Sequence, residues 1–210
     1  MSFYEDRVLP HILNAAMKTK AIDEQRARCL SDVAGTVLEV GIGSGLNLPH
    51  YTSKVTKVVG VDPSGASVRL ARKRIAASPV PVEIVGLSAE KLPVADGSFD
   101  AVVSTFTMCT IPDVASALRE MRRALRPGGR LHFVEHGRSD DPSVVRWQDR
   151  LNSFQRTVCG GCNLNRRIGD LIAQAGFEIE RLENGYLKGP PKFAGYFYRG
   201  VARTPAASSS

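Results

Sequence analysis

A hydrophobic run that breaks directly into closely spaced glycines, Val37–Leu–Glu–Val–Gly–Ile–Gly–Ser–Gly45, constrains the fold of this 210-residue chain more than any other feature. A short, nearly continuous apolar run reads as a strand covered on both faces. Gly41, Gly43 and Gly45 at its end let the backbone turn tightly and approach a ligand with no Cβ in the way. A second apolar run, Lys57–Val61, ends on Asp62. A carboxylate at the tip of the second strand is placed to accept hydrogen bonds from both hydroxyls of a ribose. The pair implies an adenosine-type ligand at the carboxyl edge of a parallel sheet.

The rest of the chain keeps the same strand–helix rhythm. Thr36–Val40, Lys57–Val61, Val82–Val85, Ala101–Ser104 and Leu131–Glu135 read as strands, and Ala66–Ala77 carries a helical apolar spacing. Asp113–Leu125 reads as a helix with Asp113 as N-cap, Leu118, Met121 and Leu125 on one stripe, and Pro127–Gly128–Gly129 as its stop. Strands alternating with helices imply an α/β fold with a parallel sheet and helices on both faces. Residues 3–30 read as a helical preamble interrupted at Pro10. After residue 140 the pattern changes to helices over 143–157 and 164–175, followed by strands Phe177–Leu182 and Tyr196–Val201. This gives one domain over 1–203: an N-terminal helical lid (1–30), a cofactor core (36–135) and an acceptor side (136–203). The small, polar residues 204–210 read as a disordered tail.

Composition narrows the class. Hydrophobic residues at 43% and charged residues at 23% fit a soluble domain and exclude collagen, coiled coil and wholesale disorder. No apolar run reaches the roughly 18 residues of a membrane span. Glu5, Asp6, Arg7, Lys18 and Lys20 argue against a secretory leader, so the cytoplasm is the expected location. The net charge of +7 is uneven, with 12 basic against 11 acidic residues in 1–105 and 16 against 10 in 106–210. A solvated, Arg-rich surface accounts for that asymmetry, and weak contact with an anionic membrane also fits it. No zinc-finger or RNA-recognition pattern is present, so nucleic acid is not expected as a partner.

The glycines run G-x-G-x-G rather than the dinucleotide G-x-G-x-x-G, since Leu46 occupies the third position. Glu39, two residues before the first glycine, would repel a pyrophosphate and attract an ammonium group. The chain also lacks the lysine-bearing P-loop signature. In this setting the residues resemble class I S-adenosylmethionine-dependent methyltransferases. Glu39-x-Gly41-x-Gly43-x-Gly45 is similar to the family's first motif, and Asp62 to its ribose acid. Gly86–Leu–Ser–Ala–Glu–Lys–Leu–Pro93 resembles its adenine-contacting loop, with Ser88 where many relatives carry Asp. Phe99–Asp100–Ala–Val–Val–Ser104 and Leu125–Arg–Pro–Gly–Gly129 resemble two further motifs. The resemblance implies a Rossmann-like, seven-stranded, mostly parallel sheet with a reversed last strand. The implied cofactor is S-adenosyl-L-methionine, leaving as S-adenosyl-L-homocysteine. Its implied contacts are Glu39, Gly41, Gly43, Gly45, Asn47, Asp62, Pro63, Ser88, Ala89, Glu90 and Ser104, with Tyr4 as a lid residue.

A narrower resemblance rests on Phe106–Thr–Met–Cys109–Thr–Ile, Phe133–Val–Glu–His136, Gly161–Cys162–Asn163–Leu164 and Gly195–Tyr–Phe–Tyr198. This series is similar to microsomal alkyl-thiol S-methyltransferases and small bacterial methyltransferases near them. The mammalian members carry an N-terminal hydrophobic anchor that has no counterpart in residues 1–30. The likeness implies a small-molecule acceptor, an alkyl thiol or hydrogen sulfide, with a lipid amine or quinone carbon as the alternative. A cofactor-binding protein without activity is a third reading. His136 is the catalytic candidate, either taking a proton or orienting the acceptor, against the alternative of an imidazole bonded to backbone. Thr107, Cys109, Asn163 and Tyr196 are the acceptor-side candidates, although a free cysteine such as Cys109 is more often an inert core residue. Asn163 also reads as the N-cap of the 164–175 helix. Cys159–Gly–Gly–Cys162 lacks the partners for zinc and reads as a loop lining the acceptor pocket, with a chance disulfide as a minor outcome. No metal is expected, and a monomer or homodimer is.

Overall fold

The computed structural model describes residues 7–86 and 88–206. Its elements follow in the order α1 (Leu9–Ala16), α2 (Lys20–Leu30), β1 (Gly35–Val40), β2 (Val55–Val61), α3 (Gly65–Ala76), β3 (Val82–Gly86), β4 (Phe99–Thr105), α4 (Val114–Ala124), β5 (Leu125–His136), α5 (Pro142–Val158), α6 (Ile168–Gln174), β6 (Glu178–Tyr186), α7 (Lys192–Gly195) and β7 (Tyr196–Arg203). Among the described residues seven strands form one sheet in the order β3-β2-β1-β4-β5-β7-β6. The first five pair in parallel, whereas β7 runs antiparallel to both β5 and β6. The expected mixed sheet with a reversed last strand is therefore present.

Two apolar layers hold it together. On one face α4 and α6 cover Leu38, Val40, Val102, Leu131 and Phe133. On the other, Cys29 and Leu30 of α2 pack with Val37, Val58, Ala101, Val103 and Val134, joined by Ile75 of α3. The central strands are apolar on both faces because both are covered. Helix α4 has the apolar stripe its sequence predicts: Leu118 and Met121 are fully buried, and Asp113 caps it by accepting from Ser116 N. The chain leaves α4 at Ala124, before Pro127, and goes straight into β5.

The strand order reverses between β1 and β4, which are paired neighbours whose chains continue to opposite sides of the sheet. Such a switch point opens a crevice at the carboxyl ends of the strands. Val40 is in register with Val61 on one side and Ser104 on the other, so the residues that follow all three strands emerge at one level.

Three expectations need correction. The N-terminal helical stretch divides at Met17–Thr19, not at Pro10, because proline is tolerated in the first turn of α1, where no intrahelical donor is needed. The late helix begins at Ile168 rather than 164, with Arg167 and not Asn163 at its N-cap position. Thr204 is not part of a loose tail: it is buried, its N–H donates to Gly129 O and its hydroxyl to Arg126 O.

Met121 has no exposed surface and sits between α4 and the sheet. Met121→Ala is expected to lower the unfolding free energy by about 2–5 kcal/mol through the cavity left behind. Urea denaturation measures this, and an unchanged midpoint would mean that α4 does not anchor this layer.

Candidate functional site

The glycine turn after β1 is fixed from several directions. Gly41, Gly43 and Gly45 all have positive φ, at 76°, 53° and 75°. Gly41 is required by packing, since a Cβ there would collide with the Thr107 side chain, whereas one at Gly45 would press on Leu48 at 3.0 Å. Gly43 differs. Its Cβ position meets only Gly41 O at 3.8 Å and Asp62 Oδ2 at 3.9 Å, so a side chain there would fill open space beside the carboxylate. Asp62 follows β2 and accepts from Gly43 N at 2.8 Å and Ser64 N at 2.8 Å, one bond to each oxygen. Each oxygen keeps a lone pair for a further donor. Burial pushes the Asp62 carboxyl up, and the two amides oppose that shift. This is a bare-backbone cradle beside a carboxylate, and it fits the sugar and amino-acid portions of a nucleoside cofactor. The turn is also tethered by Arg74 of α3, which donates to Ser44 O at 2.7 Å, and by Ser44 Oγ donating to Asn14 of α1 at 2.8 Å.

Beneath the turn lies a polar network that engages two of the expected contacts. Glu39 is buried, and its oxygens accept from Asn47 Nδ2 at 2.9 Å and Tyr51 Oη at 2.8 Å. Asn47, also buried, donates to Thr105 Oγ1 at 3.0 Å and accepts from Arg26 at 2.9 Å. Glu39 and Asn47 thus brace the glycine turn from below. Burial pushes the Glu39 carboxyl up to about 7, against the opposing pull of the Tyr51 and Asn47 hydrogen bonds and the Arg26 charge. Arg26, from α2, is the unforeseen member. It is buried, bonds Asn47 and Thr105, lies 5.3 Å from the Phe106 ring centroid and leaves its Nε without a partner. Nothing in the charged sequence of α2 distinguishes Arg26 from its solvated neighbours.

A second buried carboxylate organises the end of β4. Glu135 accepts from Ser104 Oγ at 2.8 Å and from the backbone N–H groups of Thr107 and Met108 at 3.0 Å and of Cys109 at 3.3 Å. Ser104 is fully buried and its hydroxyl donates to Glu135, supporting the end of β4 from inside. Phe106 just before this turn has φ 54°, a left-handed conformation unusual for a bulky side chain. Thr107 then packs against Gly41, joining the cofactor turn to the turn that carries Cys109.

His136 ends β5. It is buried, its Nδ1 lies 3.7 Å from Cys162 Sγ, and its Nε2 has no hydrogen-bond partner. Cys162 Sγ lies 3.8 Å from Cys109 Sγ. The Cys159–Cys162 loop therefore does reach the turn after β4. All four cysteines are free thiols. Asn163, read from sequence as a helix cap, instead donates through both its backbone N–H and its side-chain amide to Cys109 O, each at 2.9 Å.

Tyr196 is not brought to this cluster. His136 pairs with Phe197, so the neighbouring Tyr196 points to the opposite face. There its ring packs edge-on against Tyr186 and Tyr198, and its hydroxyl donates to Asp140. Tyr198 is likewise buried, with its hydroxyl on Arg138 O. In the loop after β3, Ser88 is exposed and accepts from Glu90 N at 3.2 Å, while Glu90 accepts from Asp113 N at 2.9 Å. Ala89 packs partly into the core, and Pro63 is exposed beside Asp62. Tyr4 lies outside the described residues.

The family pattern described as a methyltransferase domain matches residues 38–133. The human thiol S-methyltransferase TMT1A is 32% identical over 153 residues, covering 71% of this chain and 62% of that protein. The phosphatidylethanolamine N-methyltransferase of Cereibacter sphaeroides is 32% identical over 66% of this chain and 70% of its own length. The chain thus spans less than two thirds of the human relative. Among solved structures, a putative methyltransferase from Bacillus halodurans superposes with a TM-score of 0.69 at 20% identity, over 88% of this chain and 99% of that one. That likeness shows the fold.

The network under the glycine turn makes a pH-dependent prediction. Because the folded state holds the Glu39 proton more tightly than the unfolded chain, this residue costs stability progressively as pH rises from about 4.5 to about 7, and the cost is constant above that. Glu39→Gln, which cannot ionise, is expected to gain stability relative to the parent across that window. Urea midpoints measured at both ends check this, and a difference that stays flat or falls with pH would refute it.

Proposed function

This chain belongs to the S-adenosylmethionine-dependent methyltransferases, and from that premise we propose that it methylates a small thiol, an alkyl thiol or hydrogen sulfide. When bound, the cofactor supplies a methyl group on a sulfonium sulfur, whose departure as a neutral thioether needs no general acid. Asp62 would hold the ribose hydroxyls, and the open backbone at Gly43 would accept the amino-acid portion beside it. The protein's main remaining tasks are to align the acceptor, exclude water and free the acceptor's lone pair.

The observation that carries the thiol reading is His136. It is buried at the carboxyl end of β5, next to the turn that abuts the glycine loop, with one ring nitrogen lacking a protein partner. An imidazole so placed can take the proton of an incoming thiol at Nε2, leaving the thiolate that reacts. The 32% identity to thiol S-methyltransferase TMT1A supports the same acceptor class. Glu135 is a positioning residue in this scheme, because it fixes three successive N–H groups of the turn that faces His136.

A second reading, a lipid-headgroup acceptor, is favoured by one surface feature as well as by the bacterial phospholipid relative. Helix α5 exposes Trp147 and Phe154 on one side together with Arg150, whose guanidinium lies 5.9 Å from the Trp147 ring centroid. Co-sedimentation with anionic vesicles at low and moderate salt separates the readings, because surface attraction is screened by salt. Binding to the vesicles with turnover of lipid and not of thiol would displace the thiol proposal.

Two variants test the assignment. Asp62→Ala is expected to weaken cofactor binding by ~1.5–3 kcal/mol, roughly 10- to 150-fold in Kd, as calorimetry would show; an unchanged Kd removes Asp62 from the cofactor site. His136→Ala is expected to lower kcat toward small thiols by ~10²–10⁴-fold near neutrality, with the cofactor Kd retained. The deficit should shrink at alkaline pH, where the thiol ionises unaided. A deficit that stays constant with pH would make His136 structural.

A further inference from the structure

The return of the α5–α6 loop onto the end of β4 brings two thiols together that are 53 residues apart in sequence. Gly160 and Gly161 take left-handed φ values of 58° and 87° and turn the chain back. Asn163 then fixes the loop with two bonds to Cys109 O. Glu135 holds the opposing turn through the N–H of Cys109 itself. The result is a Cys109–Cys162 sulfur separation of 3.8 Å, with His136 Nδ1 3.7 Å from the Cys162 sulfur. Cys109 is buried and Cys162 is half-buried.

We propose that Cys162 and Cys109 form a reversible thiol–disulfide couple on the acceptor side, in which Cys162 meets a hydroperoxide and Cys109 resolves it. The Cys162 thiolate attacks a peroxide oxygen. The O–O bond breaks, Cys162 becomes a sulfenic acid, and the departing oxygen leaves as alcohol or water with the proton that Cys162 gave up. The Cys109 sulfur then attacks the Cys162 sulfur. The S–O bond breaks, and water departs with the Cys109 proton. Two thiols thereby lose two electrons and two protons, and one hydroperoxide is reduced to alcohol (or water) and water.

The surroundings assign the two roles in that order. Cys162 is held below the ordinary thiol range because the Cys109 thiol lies against it and His136 faces it, which favours the thiolate. Cys109 is held well above that range by the same contact and by burial, so it stays protonated until a sulfenic acid forms beside it. Cys159, in the same loop, is also raised, by desolvation and by the nearby Cys162. A disulfide requires the two sulfurs to close from 3.8 Å to ~2.05 Å. The bond would lock the loop across His136 and the Thr107–Cys109 turn while leaving the Asp62 cradle untouched.

The test is a chemical map, independent of which acceptor is used. The full chain, reduced and then exposed to hydrogen peroxide, is alkylated, digested without reductant and analysed by mass spectrometry. A Cys109–Cys162 cross-linked peptide is expected, reversible by dithiothreitol, with S-adenosylmethionine affinity retained and methyl transfer lost. Cys109→Ser should instead leave a dimedone-reactive sulfenic acid on Cys162. A Cys159–Cys162 link, or a Cys162 thiol that survives peroxide oxidising free N-acetylcysteine, would overturn the proposal. Should Cys109→Ser fail to fold, the map of the unmutated chain decides alone. Loss of thiol methylation in both redox states would count against the acceptor assignment and leave this couple standing.

Discussion

The buried carboxylate of Glu135 is the interaction on which the working edge of this molecule depends. One side chain at the end of β5 gathers the Ser104 hydroxyl and three consecutive backbone N–H groups beyond β4. Those N–H groups follow a strand that has stopped pairing, so without Glu135 they would be buried donors with no acceptor, at a cost of roughly 1–3 kcal/mol each. The arrangement holds the Thr107–Cys109 turn against Gly41 on one side and toward His136 on the other. Burial raises the Glu135 carboxyl, and the donors pull it back, so the group and its ring of amides are mutually dependent.

A matching device lies one strand away. Glu39, Asn47, Tyr51, Arg26 and Thr105 form a closed network under the glycine turn, and Thr105 belongs to the same strand that Glu135 terminates. The two carboxylates thus stiffen the crevice from beneath while presenting little of themselves to it. Above that floor a Cβ at Gly43 would enter open space beside the Asp62 carboxylate. A polar floor cross-linked in this way, with the Arg26 Nε left over, favours a fixed geometry, which is the condition for binding without reorganisation.

The cluster of Cys109, His136 and Cys162 is drawn from three separate segments, after β4, at the end of β5 and after α5. Two of them, Cys109 and His136, were legible as candidates because a residue just past a parallel strand must fall at the sheet's carboxyl edge. Asn163 was legible as a polar residue at a loop end, but its role was not. Its amide clamps Cys109 O because the loop folds back through two glycines, a path that local propensity does not specify. Tyr196 shows the reverse failure. Which face of its strand lies toward His136 depended on the antiparallel register with β5, and that register put Phe197 there, with Tyr196 and Tyr198 together on the other face.

From the sequence alone came the strand rhythm, the glycine turn, Asp62 at the second strand tip, the capped helix after Asp113 and the family. These are properties of short windows, set by apolar period, turn chemistry and capping over a few residues. Tertiary structure decided which acids face the crevice and which brace it, brought Arg26 beneath the cofactor turn, and set two distant sulfurs beside one imidazole. Those outcomes depend on register, on loop return and on which donors burial leaves in need of an acceptor, and such requirements arise only when segments far apart in the chain are packed together.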